Sequence, residues 1–264
     1  MLNDFTQDDI YSIKPALTEL PFDLIDIIQN NPEDILNETS ITQPALLATS
    51  YLHYKKFLSL TNTLPNIIAG HSLGEYSALV AADSINLKNA ISLVHKRGLF
   101  MESSEKGSMF AILNLDLSFV IDICNEVSIA TGLIVSPANI NSPNQIVIAG
   151  NEEAAVIAAD RCKEAGAKRC IQLKVGAASH CMLMKAASES LLAELSSIHF
   201  NELSIPIIHN YDASIESSSI NLVDKLTSQL TYPVKWIDTM NLIKEFNGIV
   251  IECGPGKVLS GLAK

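Results

Sequence analysis

The stretch Ile67-Ile68-Ala69-Gly70-His71-Ser72-Leu73-Gly74-Glu75-Tyr76 runs from a short apolar segment through Gly-x-Ser-x-Gly into a helix-like segment that continues to Ala82. A buried strand, a sharp turn and a helix in that order form a nucleophile elbow, which presents a serine hydroxyl at the edge of an α/β sheet. A turn this tight calls for glycine on both sides of the serine, since a Cβ at either position would meet the flanking elements. Ser72 then stands at a helix N-terminus, where unpaired N–H groups and the helix dipole favour a developing negative charge. By composition alone, Gly-x-Ser-x-Gly turns up in roughly one chain of this length in ten. The strand before it and the helix after it therefore carry the argument.

Working outward, 264 residues with 48% hydrophobic content suffice for one large domain, or for one domain with a smaller insert. No apolar run approaches the ~20 residues of a membrane-spanning helix. The acidic N-terminus, with Asp4, Asp8 and Asp9, is unlike a signal peptide, so a cytoplasmic protein with no membrane partner is expected. Cys124, Cys162, Cys170, Cys181 and Cys253 are odd in number and scattered. That spacing argues against a disulfide framework and a Cys-x-x-Cys metal site, so reduced core thiols and no metal are expected. A net charge of -11 disfavours nonspecific nucleic-acid binding, which depends on lysine and arginine neutralising phosphates, so no nucleic-acid partner is expected.

Thr42 reads as the N-cap of a helix that brings Leu47, Tyr51, Tyr54 and Leu58 to one face and leads to the elbow strand. After the elbow, 87–101 has Ala90, Ile91, Val94, Gly98 and Met101 at helical spacing, with Arg97 just off the apolar stripe and free to face a cleft. Next come a strand at 108–113, a helix at 117–129, strands at 133–136 and 145–149, a helix at 152–165 and a strand at 168–175. This β-α-β-β-α-β order predicts a ferredoxin-like insert over 107–175. The chain then returns with a helix over 182–195, a strand at 205–208, helices over 222–229 and 236–246, a strand at 248–252 and a last helix near Lys257. Strands alternating with helices predict a parallel sheet in the large part, 1–106 and 176–264. Ligands of such sheets sit beyond the carboxyl ends of the strands, where Ser72 lies.

A serine hydroxyl needs an adjacent base, most often histidine. His53 and His95 fall in helices, His71 points away from Ser72, and His199 has no distinguishing context. His180 follows the small residues Gly176-Ala177-Ala178-Ser179, where a side chain can enter a cleft uncrowded, and His209 follows the strand at 205–208. Both stay open on spacing alone, with the small-residue loop favouring His180.

The stretch Gly70-His71-Ser72-Leu73-Gly74-Glu75-Tyr76-Ser77-Ala78-Leu79 closely resembles the serine motif of the malonyl-CoA:acyl-carrier-protein transacylase family. Thr42-Gln43-Pro44-Ala45-Leu46, Lys96-Arg97-Gly98, Asn139-Ile140-Asn141-Ser142-Pro143, Gln145 to Gly150, Ser179-His180-Cys181 and Glu252 to Leu259 follow in the family's order over essentially the whole chain. The resemblance implies an α/β-hydrolase-like large subdomain with a ferredoxin-like insert. It also implies a double displacement through a Ser72 ester, from malonyl-CoA to acyl carrier protein, in fatty-acid synthesis. In that scheme His180 is base and then acid, Gln229 orients it through its backbone carbonyl, and Leu73 gives an oxyanion N–H. Arg97 pairs with the malonyl carboxylate, and Asn139 lines the pocket. No cofactor is implied beyond the coenzyme A thioester as substrate, and a monomer is expected. Carrier proteins are generally acidic, so Lys163, Lys168, Arg169 or Lys185 is expected to form a local basic patch.

The family ordinarily opens with a strand and Gly-Gln-Gly-Ser-Gln, whose first glutamine supplies a second oxyanion N–H. Met1-Leu2 resembles residues shortly after that motif, and Gly261-Leu262-Ala263-Lys264 stops inside the last helix. The resemblance therefore implies a start assigned at an internal methionine, and reduced activity for the chain as written, since one oxyanion donor is worth ~10²- to 10³-fold. A serine hydrolase or thioesterase, a polyketide-type acyltransferase and an inactive remnant that binds the carrier protein remain alternatives at this point.

Overall fold

A computed structural model describes residues 1–263. The chain opens with α1 (Gln7–Ile13) and α2 (Leu24–Asn30), followed by the long α3 (Thr39–Thr61). The elbow strand β1 (Ile68–Ala69) runs into α4 (Gly74–Ala81), and α5 (Leu87–Glu102) follows. Then come β2 (Ser108–Leu113), α6 (Leu117–Thr131), β3 (Val135–Ser142), β4 (Gln145–Gly150), α7 (Glu152–Glu164) and β5 (Arg169–Gln172). The return consists of α8 (Lys185–Ser196), β6 (Ile207–Ile208), β7 (Ile215–Glu216), α9 (Leu222–Gln229), α10 (Trp236–Glu245) and α11 (Val258–Leu262). No helix among the described residues is long and apolar enough to cross a membrane.

Strands β2 to β5 form one antiparallel sheet in the order β3-β4-β2-β5, as a ferredoxin-like β-α-β-β-α-β unit requires. Its two faces are read off the period-2 alternation of side chains. Phe110, Ile112, Ile146 and Ile148 pack on Val120, Cys124 and Val127 of α6 and on Ala154, Ala155, Ala158 and Cys162 of α7. Met109, Ala111, Val147 and Ala149 face the other way, into the main core with α3, α5 and α8. Each fully buried Ile, Phe, Val or Met is worth about 1.5–3 kcal/mol, so the sheet is fixed to both layers at once. Strand β3 also joins the large part through its outer edge: Ile140 N–H donates to Val234 O (2.9 Å) and Val234 N–H to Ala138 O (2.9 Å).

In the large part, β1 pairs in parallel with β6, Ile68 opposite Ile207 and Ala69 opposite Ile208, and β7 adds an antiparallel hairpin. Three expectations need correction. The strand expected at 133–136 is β3, Val135–Ser142, whose length is set by pairing along the whole of β4. The helix read from Thr42 begins at Thr39, with Pro44 inside it. Proline cannot donate to the carbonyl four residues back, which is Ser40 O. A ring nitrogen of His95 on α5 takes that carbonyl at 2.9 Å, which lets the helix run through the proline. The strand expected at 248–252 does not form: Ile249 is 92% exposed and has no ladder partner among the described residues. Three β-branched residues in a row supply preference, but strands exist by pairing and packing, and none of the described strands pairs with them.

Candidate active site

The elbow is built from β1, the turn and α4. Ser72 has φ +52°, a left-handed conformation that costs a non-glycine residue on the order of 1–3 kcal/mol unless the surroundings impose it. Asn210, just past β6, imposes it. Its Oδ1 accepts the Ser72 N–H at 2.6 Å, and its Nδ2 donates to Gly70 O at 2.6 Å, so one amide ties both sides of the turn. A Cβ on Gly70 would lie 1.9 Å from the Gly74 carbonyl carbon, whereas a Cβ on Gly74 would meet nothing within 4 Å. The glycine requirement is therefore one-sided: the chain crosses itself at Gly70, while Gly74 faces open space. Within the turn, Gly74 N–H goes to His71 O (2.9 Å) and Glu75 N–H to Ser72 O (3.1 Å). The Leu73 N–H is left with no acceptor among the described residues.

His180 enters from the loop after β5, 2% exposed and itself at φ +62°. Its Nε2 is 2.8 Å from Ser72 Oγ, and its Nδ1 is 2.7 Å from Gln229 O. A carbonyl oxygen only accepts, so Nδ1 carries the proton and Nε2 is free to accept from the serine hydroxyl. Burial, and then the nearby Arg97 charge, push the His180 pKa down to about 3, so the ring is held neutral. His209, the other histidine left open by spacing, is excluded as the base. It is wholly buried and its Nδ1 donates to Glu75 Oε1 at 2.6 Å, because the residue at the end of β6 that reaches the elbow is the next one, Asn210. His71 turns away from Ser72, with Nε2 2.9 Å from Asn141 Oδ1.

Arg97 lies on α5 and is 1% exposed. Its guanidinium donates to Gln43 Oε1 (2.7 Å), to Gln229 Oε1 (2.9 Å) and to Ser72 Oγ (3.3 Å), and lies 5.4 Å from the Tyr76 ring centroid. Its Nε has no partner, and no carboxylate pairs with it among the described residues. A buried cation held only by neutral oxygens, two amides and a hydroxyl, is poised for an incoming anion, since an unpaired buried charge is otherwise costly. Gln229 thus contributes its side chain as well as its carbonyl. Gln43, Glu75 and Asn210 are site residues to which sequence reasoning gave no role; their one signal is a polar residue inside a motif or beside a strand. Asn139 lies in β3 opposite Val147, 7% exposed, and its side chain bonds none of Ser72, His180 or Arg97. Lys163 and Arg169 line a shallow groove at β5, where Lys163 Nζ donates to Lys168 O, and Lys185 begins α8. Among the described residues no group of three His, Cys, Asp or Glu side chains could hold a metal ion.

A family model for the acyl transferase domain matches residues 1–255. The malonyl CoA-acyl carrier protein transacylase of Salmonella typhimurium is 42% identical over 254 residues, covering 94% of this chain and 81% of that protein. The structure of an acyl carrier protein S-malonyltransferase from Vibrio cholerae superposes with a TM-score of 0.93 at 41% identity, covering 100% of this chain and 87% of the other. A malonyl-transacylase solved in complex with its type II PKS acyl-carrier protein gives a TM-score of 0.94 at 42% identity, covering 100% of this chain and 85% of the other. The chain belongs to the acyl transferase domain family and, within it, to the malonyl CoA-acyl carrier protein transacylases.

Proposed function

We propose that the chain moves a malonyl group from coenzyme A to the phosphopantetheine thiol of acyl carrier protein through an ester on Ser72. The observation that carries this reading is Arg97, a buried guanidinium 3.3 Å from the nucleophile with no carboxylate partner among the described residues. A cation so placed selects an acyl group that ends in an anion, and its planar donors match a carboxylate. Ser72 Oγ attacks the thioester carbonyl and its proton passes to His180 Nε2. The Leu73 N–H, at the start of α4, supports the oxyanion. The carbon–sulfur bond breaks, and the departing coenzyme A thiolate takes the proton from His180. In the second half His180 removes the proton of the carrier thiol, the new thioester forms, and the Ser72 oxygen is reprotonated. Gln229 O keeps the His180 Nδ1–H in place throughout.

Intact-mass measurement after mixing with malonyl-CoA tests the reading. The protein gains one malonyl group, loses it to added carrier protein, and gains none when Ser72→Ala is introduced. Arg97→Ala lowers malonyl transfer by about 10²-fold or more, as removal of one member of a buried charge pair does, and acetyl transfer far less. Equal losses for the two acyl groups, or release of free malonate as fast as transfer, would overturn the assignment in favour of a hydrolase.

A further inference from the structure

Behind the elbow lies a second buried charge that the reaction scheme does not use. Glu75, in the first turn of α4 and 1% exposed, accepts from His209 Nδ1 (2.6 Å), from the Asn210 N–H (3.2 Å) and from Gln229 Nε2 (2.6 Å). Gln229 Nε2 also donates to Ser72 O (3.0 Å), which uses both of its hydrogens, and Gln229 Oε1 accepts from Arg97 (2.9 Å). Only one orientation of that amide suits its neighbours. Flipped, it would set its carbonyl against the Glu75 carboxylate and its NH2 against the guanidinium, unfavourable at both ends.

We infer that Glu75 is a positioning residue for acyl-group selection: through the Gln229 amide it fixes Arg97 in the geometry that receives a carboxylate, without neutralising it. The inserted amide is the essential element. A direct Glu75–Arg97 ion pair would give the guanidinium its own counter-ion and leave no place for the substrate's. A neutral amide passes on orientation and hydrogen-bond polarisation but no net charge. His209, which hydrogen-bonds none of Ser72, His180 and Arg97, completes the arrangement by donating to the other Glu75 oxygen, so both oxygens of the buried carboxylate are hydrogen-bonded.

The inference rests on the malonyl reading, and its test separates the two. Wild-type protein, Glu75→Met and Glu75→Gln are compared for the rate of Ser72 acylation by malonyl-CoA and by acetyl-CoA, with thermal unfolding measured alongside. Glu75→Met removes both acceptors at similar volume. It should lower the malonyl-to-acetyl ratio by about ten- to hundredfold, the worth of one hydrogen bond to a charged group, mainly through a weaker KM for malonyl-CoA. Glu75→Gln, which keeps the length and one acceptor, shifts the ratio the same way by less and serves if the methionine variant does not fold. A role confined to holding the fold would lower both acyl groups together, and that result, or an unchanged ratio, overturns the inference while leaving malonyl transfer intact. Wild-type protein without malonyl preference would instead sink the functional reading. In that event a crystal structure of either variant still decides the inference: Gln229 displaced from Arg97 supports it, and Gln229 unmoved refutes it.

Discussion

Replacing Gly70 and Gly74 separately by alanine gives two opposite outcomes from one symmetric motif. On Gly70 the new Cβ falls 1.9 Å from Gly74 C, 2.0 Å from Gly74 O and 2.5 Å from Glu75 N. The nearest is about 1.5 Å short of van der Waals contact, and all three are backbone atoms that no side-chain rotation can move. Relief requires pulling the end of β1 from the start of α4, which strains the hydrogen bonds from Gln229 Nε2 to Ser72 O and from Ser72 N–H to Asn210. Overpacking and weakened buried bonds together cost about 3–5 kcal/mol, roughly 10 °C in Tm for a chain of this size. Gly74 opens α4 with a φ outside the left-handed region and no atom near its Cβ position. Alanine there gains about 0.5–1 kcal/mol from helix propensity and reduced unfolded-chain freedom, a rise of roughly 1–4 °C. Calorimetric Tm and the Ser72 acylation rate read both variants. Comparable losses of Tm from the two substitutions would refute the one-sided crossing, as would a Gly70→Ala protein that acylates like wild type.

Asn210→Ala, which unties both sides of the turn while touching no substrate, should lower the acylation rate by about 10²-fold with KM nearly unchanged; a KM effect alone would contradict the clamp. His180 couples stability to acid. Its folded pKa of about 3 lies below the ordinary histidine value, so the stabilisation is complete above about pH 6.5 and is lost as the pH falls from there toward 3, by at most about 1.4 kcal/mol per pH unit. Urea midpoints that stay flat between pH 7 and 5 would count against it, as would an unchanged slope in His180→Phe. Arg97 also contributes to that depression, so a malonyl carboxylate bound to it should move the acid limb of acylation to higher pH than with acetyl-CoA. Coincident limbs would show that the two charges do not communicate.

The parts of this molecule that were legible in sequence are those whose information is local. The β2 run is bounded as expected at 108–113 because consecutive apolar residues serve two cores, Met109 and Ala111 one way, Phe110 and Ile112 the other. The elbow is legible because its turn needs a glycine where the chain crosses itself at Gly70, and His180 because the small residues before it pack tightly, Gly176 against Thr39 and Ala178 in the core, beside the site. The 248–252 segment misleads for the opposite reason: its preference is local, but pairing is not. The N-terminal helices are short, and their caps, Thr6 with Asp9 and Asp23 with Ile25 and Asp26, are quiet beside the long apolar runs that follow. What sequence reasoning missed in the site follows one pattern. Gln43, Asn210 and the Gln229 side chain act across 54, 138 and 132 residues of chain, to Arg97, Ser72 and Arg97 respectively. A lone polar residue in an apolar context carries no periodicity that announces its partner. The partner is chosen by the fold, because each buried donor and acceptor must be satisfied where packing puts it. Arg97 shows the converse. Its position was legible, but its meaning lies in what it lacks among the described residues, a carboxylate, and such a lack becomes visible only once the neighbours have been placed.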